Sequence, residues 1–318
     1  MSSNYTSKSN KNIFSTGTLH RASELRIDEG HMNRLLTDAA ARFVPVWQNQ
    51  NLITATNPIQ PAFLTQIQAA PLLREGKPLV LLGFLEKVPY FAFDIPADTV
   101  TEGLFSTNQV FKDLREIGSL LSQEEGNLLA YARAMMHWHH THQYCGKCGH
   151  KTISTEAGHV LQCTNPACSL KHFPRTDAAI IVLITHQEHC LLVRQPIWPE
   201  GMYATVAGFL EPGESLEDAV AREVMEETGL ELIDIQYHSS QPWPFPASIM
   251  IGFTAQATNM NFVLDQREIE KACWLTRQEL IQQILDKTIK LPRPVSISYR
   301  LIEGWFNTKS QTPLSEIR

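Results

Sequence analysis

The chain has 318 residues, enough for two or three domains with cores of their own. Its 43% hydrophobic and 19% charged content is that of a globular protein, and no apolar run reaches the roughly 18–20 residues of a membrane span. A net charge of −6 excludes a broad basic face, and with it non-specific polynucleotide binding as the default.

Residues 1–20, "MSSNYTSKSNKNIFSTGTLH", hold no acid and no apolar core of a secretory signal. They are Ser-rich like a transit peptide, but the first Arg is Arg21, so a disordered tail is expected. The C-terminal "SEIR" is not a peroxisomal address, and a cytoplasmic protein is expected. Beyond the tail, "LVLLGF" (79–84) and "YFAFDI" (90–95) predict strands around a turn at Lys87–Pro89. Ser122 and Glu125 have capping-box spacing, and Leu128, Leu129, Ala132, Met135 and Met136 form a helical apolar stripe behind them. That helix ends in His137, His139, His140 and His142. The helix dipole favours histidines there, which makes a second metal site the less economical reading.

Four of the six cysteines follow within 24 residues: Cys145-x2-Cys148 and Cys163-x4-Cys168, fourteen residues apart. Such pairs bring four thiolates onto one tetrahedral Zn²⁺ with no position left for water, so a structural zinc is predicted. Cys190 and Cys273 read as ordinary thiols of a reducing compartment. Next, 178–184, 189–195, 203–209, 248–257 and 271–275 read as strands, and ~276–287 and ~294–306 as helices. The predicted class is α+β multidomain. It comprises a disordered tail (1–20), an N-terminal α+β domain (21–141), a zinc ribbon (142–174), a sandwich domain (175–306) and a C-terminal tail (307–318).

Inside the sandwich domain stands "GFLEPGESLEDAVAREVMEETGL" (208–230). Ser215 and Asp218 mark a helix start and Gly229 its end. Val220, Ala221, Val224 and Thr228 would face a core. Glu223, Glu226 and Glu227 would crowd within about 100° on the other side. Carboxylates at i,i+4 repel, and acids in a last turn oppose the macrodipole by roughly 0.3–1 kcal/mol. Only Arg222 is near to offset them, so a hard divalent cation, Mg²⁺ or Mn²⁺, is the expected partner. A merely solvated acidic face is the competing reading.

Gly208, Glu214, Arg222, Glu223, Glu226, Glu227 and Gly229 fill the pattern G-x5-E-x7-R-E-U-x-E-E-x-G-U, U being apolar. By that match the chain resembles the Nudix hydrolases, which implies an α/β/α sandwich with the box as a loop–helix–loop. The resemblance further implies that Glu223, Glu226 and Glu227 bind Mg²⁺ or Mn²⁺, with Arg222 and Glu214 orienting them. "SQPWPFPAS" (240–248) then carries the marker of the NADH pyrophosphatase, NudC-type branch, as do the cysteine module and "HFPRTDAAIIVLI" (172–184). Alternating prolines would extend the backbone there and display Trp243 and Phe245 for base stacking, against the plainer reading of a Pro-rich connector.

The branch implies hydrolysis of NADH or NAD⁺ to nicotinamide mononucleotide and AMP, removal of NAD caps from RNA, and a homodimer. It implies Glu268 as a further catalytic acid and metal ligand. The implied substrate contacts are Phe209 and Phe173 on the nicotinamide, with Ser298 near that pocket, and Gln241, Trp243, Phe245 and Ser248 elsewhere on the substrate. Lys147, Lys151, Lys171 and Arg175 are candidate contacts for RNA, with solubilising surface charge as the plainer reading. Two alternatives stay open: a Nudix hydrolase of another nucleoside diphosphate derivative, and a non-catalytic nucleotide- or RNA-binding module.

Overall fold

The computed structural model describes residues 7–74, 76–99 and 103–317. They fall into two units: 16–176 with 243–247, and 7–15 with 177–242 and 248–317. Among the described residues no helix is long and apolar enough to cross a membrane.

In the first unit α1 (Glu29–Leu36) precedes β1 (Arg42–Trp47), β2 (Gln50–Thr54), β3 (Gln60–Pro61), α2 (Gln66–Ala69), β4 (Leu79–Leu85), β5 (Val88–Ile95), β6 (Gln109–Lys112) and α3 (Leu114–Ile117). The six strands form one sheet in the order β3-β2-β1-β5-β4, with β6 beside β2. β1 runs parallel to β5, while β4 and β5 form the expected antiparallel hairpin. Its turn is Glu86–Lys87, both at positive φ, one residue earlier than the expected Lys87–Pro89. Phe43, Phe91 and Phe93 fill the core, the first two rings stacked 5.4 Å apart. α4 (Gln123–Thr141) is started by a capping box in which Ser122 and Glu125 bond reciprocally. Its predicted apolar stripe is buried. A three-stranded sheet of β7 (Thr152–Thr155), β8 (Val160–Cys163) and β9 (Lys171–His172) completes this unit.

The second unit contains β10 (Asp177–His186), β11 (His189–Arg194), β12 (Val206–Phe209), α5 (Leu216–Thr228), β13 (Leu232–Trp243), β14 (Ser248–Ala257), β15 (Lys271–Leu275), α6 (Arg277–Leu285) and α7 (Ile297–Asn307). Its sheet has the order β13-β14-β10-β11-β15, with β12 on β10. β10 is apolar from Ala178 to Ile184 because both its faces are covered there. Ile180, Val182 and Ile184 enter a core with Ala219, Val220 and Val224 of α5. Ile181 and Leu183 enter another with Leu280 of α6 and Leu301, Ile302 and Phe306 of α7. The result is the expected α/β/α sandwich.

Both expected tails need correcting. Of residues 1–20, the first six lie outside the described residues, but 7–15 are folded. Asn12 and Phe14 are buried, and Asn12 Nδ2 donates to Ser239 Oγ and Ser240 O at 3.0 and 2.9 Å. The polar composition that suggested disorder supplies the hydrogen bonds of the strap. At the other end Leu314 and Ile317 close the core around α7. "SQPWPFPAS" is also not an extended display. β13 stops at Trp243, residues 244–247 turn, and β14 starts at Ser248.

Candidate functional site

The loop–helix begins at β12, where Gly208 pairs with Ile180. A Cβ at Gly208 would overlap the Glu223 carboxylate, so the glycine is what lets that side chain reach the strand. Ser215 caps α5 by accepting from Asp218 N at 3.1 Å, and Gly229 ends it in the left-handed region at φ 67°. The core-facing side is Ala219, Val220, Val224 and Thr228. Ala221, expected there, is exposed, because it lies a further 100° round the helix from Val220.

Arg222 organises the acids. Its Nε donates to Glu214 Oε1 at 2.5 Å and its Nη2 to Glu214 Oε2 at 3.1 Å, a bidentate pair. Nη1 donates to Glu223 Oε1 and Glu226 Oε2, each at 3.0 Å, and Nη2 also reaches the Phe209 carbonyl at 3.0 Å. Glu214 accepts from Glu211 N at 3.0 Å, which ties the loop to the helix. These bonds hold Glu214 below the usual carboxylate range, the Arg222 guanidinium being the main cause.

Glu227 is different. It lies toward the core beside Val224, is only 3% exposed, and its Oε2 is buried with no hydrogen-bond partner. Burial, then the charges of Glu223, Glu268, Asp265 and Glu226, push its pKa up to about 8. Burial also raises Glu223. Glu268 is exposed, in the turn after β14, where its N–H donates to Asp265 O at 3.1 Å. That loop is fixed to α5 by Asp265 N donating to Glu227 O at 3.1 Å. Asp265 itself was not singled out from sequence. Arg267 bonds both its oxygens and holds it at about 2, so it stays an anion. An acid three residues before Glu268, in "DQRE", was the available sign.

A desolvated carboxylate oxygen with no donor, ringed by four more acids, is the environment a divalent cation relieves. The residues therefore fit such an ion. Glu223 and Glu226 lie turned onto Arg222. Among the described residues the one set of three or more ligand groups within mutual metal-binding distance is the cysteine quartet.

In that quartet all Sγ atoms lie within 4.8 Å of one another. Cys145 and Cys168 are 3.9 Å apart, and Cys148 and Cys163 3.4 Å. A tetrahedron with Zn–S near 2.3 Å has edges of about 3.8 Å, so the four fit zinc without an open position. The His150 backbone N–H, acting on Cys148, draws its thiol down to about 6. The nearby histidines hold the fold instead. His139 Nε2 meets Gly158 O at 2.8 Å, and His140 Nε2 meets Asp94 Oδ2 at 2.9 Å.

The residues expected around a substrate divide. Phe173 in the first unit and Phe209 in the second are 63% and 61% exposed, high for free-standing aromatics. Trp243 and Ser248 are half-buried. Phe245 is buried, with the Arg115 and Arg133 guanidiniums 4.6 and 4.8 Å over its ring. Gln241 is fully committed: its Nε2 donates to Ile13 O and Val295 O, and its Oε1 accepts from Ile297 N. Ser298 is buried, its Oγ accepting from Thr205 N at 3.1 Å. Gln241 and Ser298 thus bond neighbouring backbone, and Phe245 packs against two guanidiniums. Of the basic candidates, Lys171 is paired with Glu156 at 2.7 Å.

Fold and site together define a Nudix domain carried with a zinc ribbon. Comparison with known proteins gives the same order. Residues 174–295 match the NUDIX domain, 40–138 the NADH pyrophosphatase-like rudimentary NUDIX domain, and 140–173 the NADH pyrophosphatase zinc ribbon domain. The NAD-capped RNA hydrolase NudC of Stutzerimonas stutzeri is 37% identical over 224 residues, covering 70% of this chain and 75% of that one. Nudix hydrolase 19, chloroplastic, of Arabidopsis thaliana is 39% identical over 217 residues, 64% of this chain and 50% of its own. The human NAD-capped RNA hydrolase NUDT12 is 36% identical over 196 residues, 58% of this chain and 42% of its own. The chain belongs to the NudC-type branch of the Nudix hydrolases. It spans about half the length of the plant and human relatives it matches.

Proposed function

We propose that this protein hydrolyses the pyrophosphate of NADH and NAD⁺. Water adds to one phosphorus, the P–O–P bridge breaks, and nicotinamide mononucleotide and AMP leave with one phosphate each. The observation that carries this is Glu227, whose desolvated oxygen lies among Glu223, Glu226, Glu268 and Asp265.

Glu223, Glu226, Glu227 and Glu268 would hold Mg²⁺ or Mn²⁺, which supplies charge neutralisation and an acidified water when bound. Glu214 anchors Arg222, and Arg222 holds Glu223 and Glu226, so those two carboxylates would turn from the guanidinium to take the cation. Exposed Phe209 and Phe173, with Trp243 and Ser248, are proposed to receive the nicotinamide end. Gln241 and Ser298 hold neighbouring backbone through their hydrogen bonds, and Phe245 packs under Arg115 and Arg133. Two relatives are named as NAD-capped RNA hydrolases, which favours the same cut at the 5′ end of a capped RNA.

The test is release of AMP from NADH, NAD⁺ and ADP-ribose, and of uncapped RNA from NAD-capped RNA, with Mg²⁺ or Mn²⁺. Metal-dependent AMP from NADH or NAD⁺ is expected. Cleavage of other nucleotides with none from these two would overturn the substrate assignment. The branch also favours a homodimer in a reducing compartment. A solution mass of one 35.9 kDa chain would overturn the dimer.

A further inference from the structure

In a chain of net charge −6, one cavity of the second unit gathers positive charge. Its volume is about 630 Å³, and it is bounded by residues 8–12, by side chains of β10, β13 and β14, and by α7. Exposed Lys8 and Lys11 line it from a short turn, Lys8–Lys11, and Arg300 lines it from α7. Among the described residues its only lining carboxylate is Glu303, which accepts from Arg300 Nη1 at 2.8 Å. Two ammonium groups and a guanidinium thus face a single carboxylate. His238, also in the wall, is driven toward the neutral form by burial and then by Lys8 and Lys11.

Three features separate this cavity from ordinary basic surface. The strap carrying the lysines is held in place: Asn12, 1% exposed, donates to Ser239 and Ser240, and Ser240 N donates to Ser9 Oγ at 3.0 Å. Arg300 keeps its Nε–H buried without an acceptor, so Glu303 alone answers its charge. Gly304 sits inside α7, where glycine is unfavourable relative to alanine. Packing does not require it, since a Cβ there would meet only His238 Nε2, at 3.8 Å. Its effect is to leave the cavity open.

We propose that this cavity binds a phosphomonoester dianion. The two uncompensated charges match the phosphate, and half-buried Trp305 offers apolar surface to the organic body. The site is separate from the carboxylate helix. Thr185 in its wall lies six residues along β10 from Ala179, the partner of Phe209, or roughly 20 Å. Both products of the proposed hydrolysis are esters of this class, but binding here needs no turnover, so the two proposals fail independently.

Calorimetric titration of the full chain, without divalent cations, compares AMP, inorganic phosphate and adenosine. AMP is expected to bind and adenosine not to. AMP tighter than phosphate assigns the cavity to the ester, and equal affinities assign it to the shared anion. The double variant Lys8→Gln, Lys11→Gln should weaken binding of both anions about tenfold or more. Gly304→Leu, which projects a side chain into the space while favouring the helix, should weaken AMP without unfolding the protein. The proposal is overturned if native protein binds neither anion, if adenosine binds as tightly as AMP, or if both variants bind as the native chain does.

Discussion

In the first unit β1 and β5 run parallel beside antiparallel neighbours, and in the second β10 and β14 do the same. The two sheets differ in how the charged and imidazole side chains near them are paired. Around the first, His139 and His159 give their ring nitrogens to carbonyls, His140 is paired with Asp94, and Arg133 donates to Pro244 O at 2.8 Å. Around the second, Arg222 balances only part of the acid of α5, and Glu227 stays buried among like charges. A shared kind of sheet therefore does not bring the chemistry with it. The chemistry enters with one loop and one helix, in keeping with the description of residues 40–138 as a rudimentary NUDIX domain.

The largest effect should come from the ribbon, the part of the first unit with least core. Only Val160, Leu161, Cys145 and Cys163 of residues 142–174 are buried apolar residues apart from its glycine turns. A segment this small relies on its metal, which in zinc-finger peptides contributes roughly 10–16 kcal/mol. Cys148→Ser should take bound zinc from one ion per chain to none, and expose the amides of β7–β9 to hydrogen exchange. Retained zinc with protected amides would remove the ribbon from the comparison.

In the second unit, Glu227→Gln should cut AMP release on the order of 10²-fold or more, yet stabilise the metal-free protein. The sign follows from the direction of the shift. The folded-state pKa is raised from 4.5 to about 8 by burial. Stability is therefore complete below about 4.5 and declines as pH rises toward 8, where the folded carboxyl ionises at a cost on the order of a few kcal/mol. Glutamine cannot ionise, so the decline should flatten. Thermal melts from pH 4 to 9 in metal-free buffer, on the variant and the native chain, measure it. A lower melting temperature for the variant throughout would mean that Glu227 is supported by contacts and not strained by charge.

Much of this contrast was legible in the sequence. The box spacing located Glu223, Glu226 and Glu227, the cysteine pairs located the thiol quartet that fits zinc, and Ser122, Ser215 and Gly229 marked helix ends where the structure has them. Such features are local, so residue spacing carries them. What escaped depends on residues far apart in the chain. Asn12 is ordered by Ser239, Phe245 is covered by Arg115 and Arg133, and Gln241 is bonded to Ile13 and Val295. Helical periodicity placed Glu227 on the acid face, but its angle from Val220 is only about 20°, so the same side chain is also at the core edge.

The smallest effect tests the first unit's side of the contrast. Asp94 is 7% exposed and bonds His140 at 2.9 Å, and that bond is the main cause of the raised His140 pKa. A histidine raised on folding stabilises most below its unfolded value of about 6.5, and the benefit fades as pH rises through the folded value. Because the His140 side chain is 43% exposed, screening should hold the effect to ~1 kcal/mol or less. Burial lowers His137, His139 and His159 and tilts the native slope the other way, so the test is a difference: Asp94→Asn should cost the first unit a little stability at pH 6 and less at pH 8. Glu227→Gln leaves the His140–Asp94 pair untouched, so the two slopes should separate in a double variant. If Asp94→Asn costs the same at pH 6 and pH 8, the His140–Asp94 pair does not titrate as stated, and the division between paired charges in the first unit and crowded like charges in the second fails on the first unit's side.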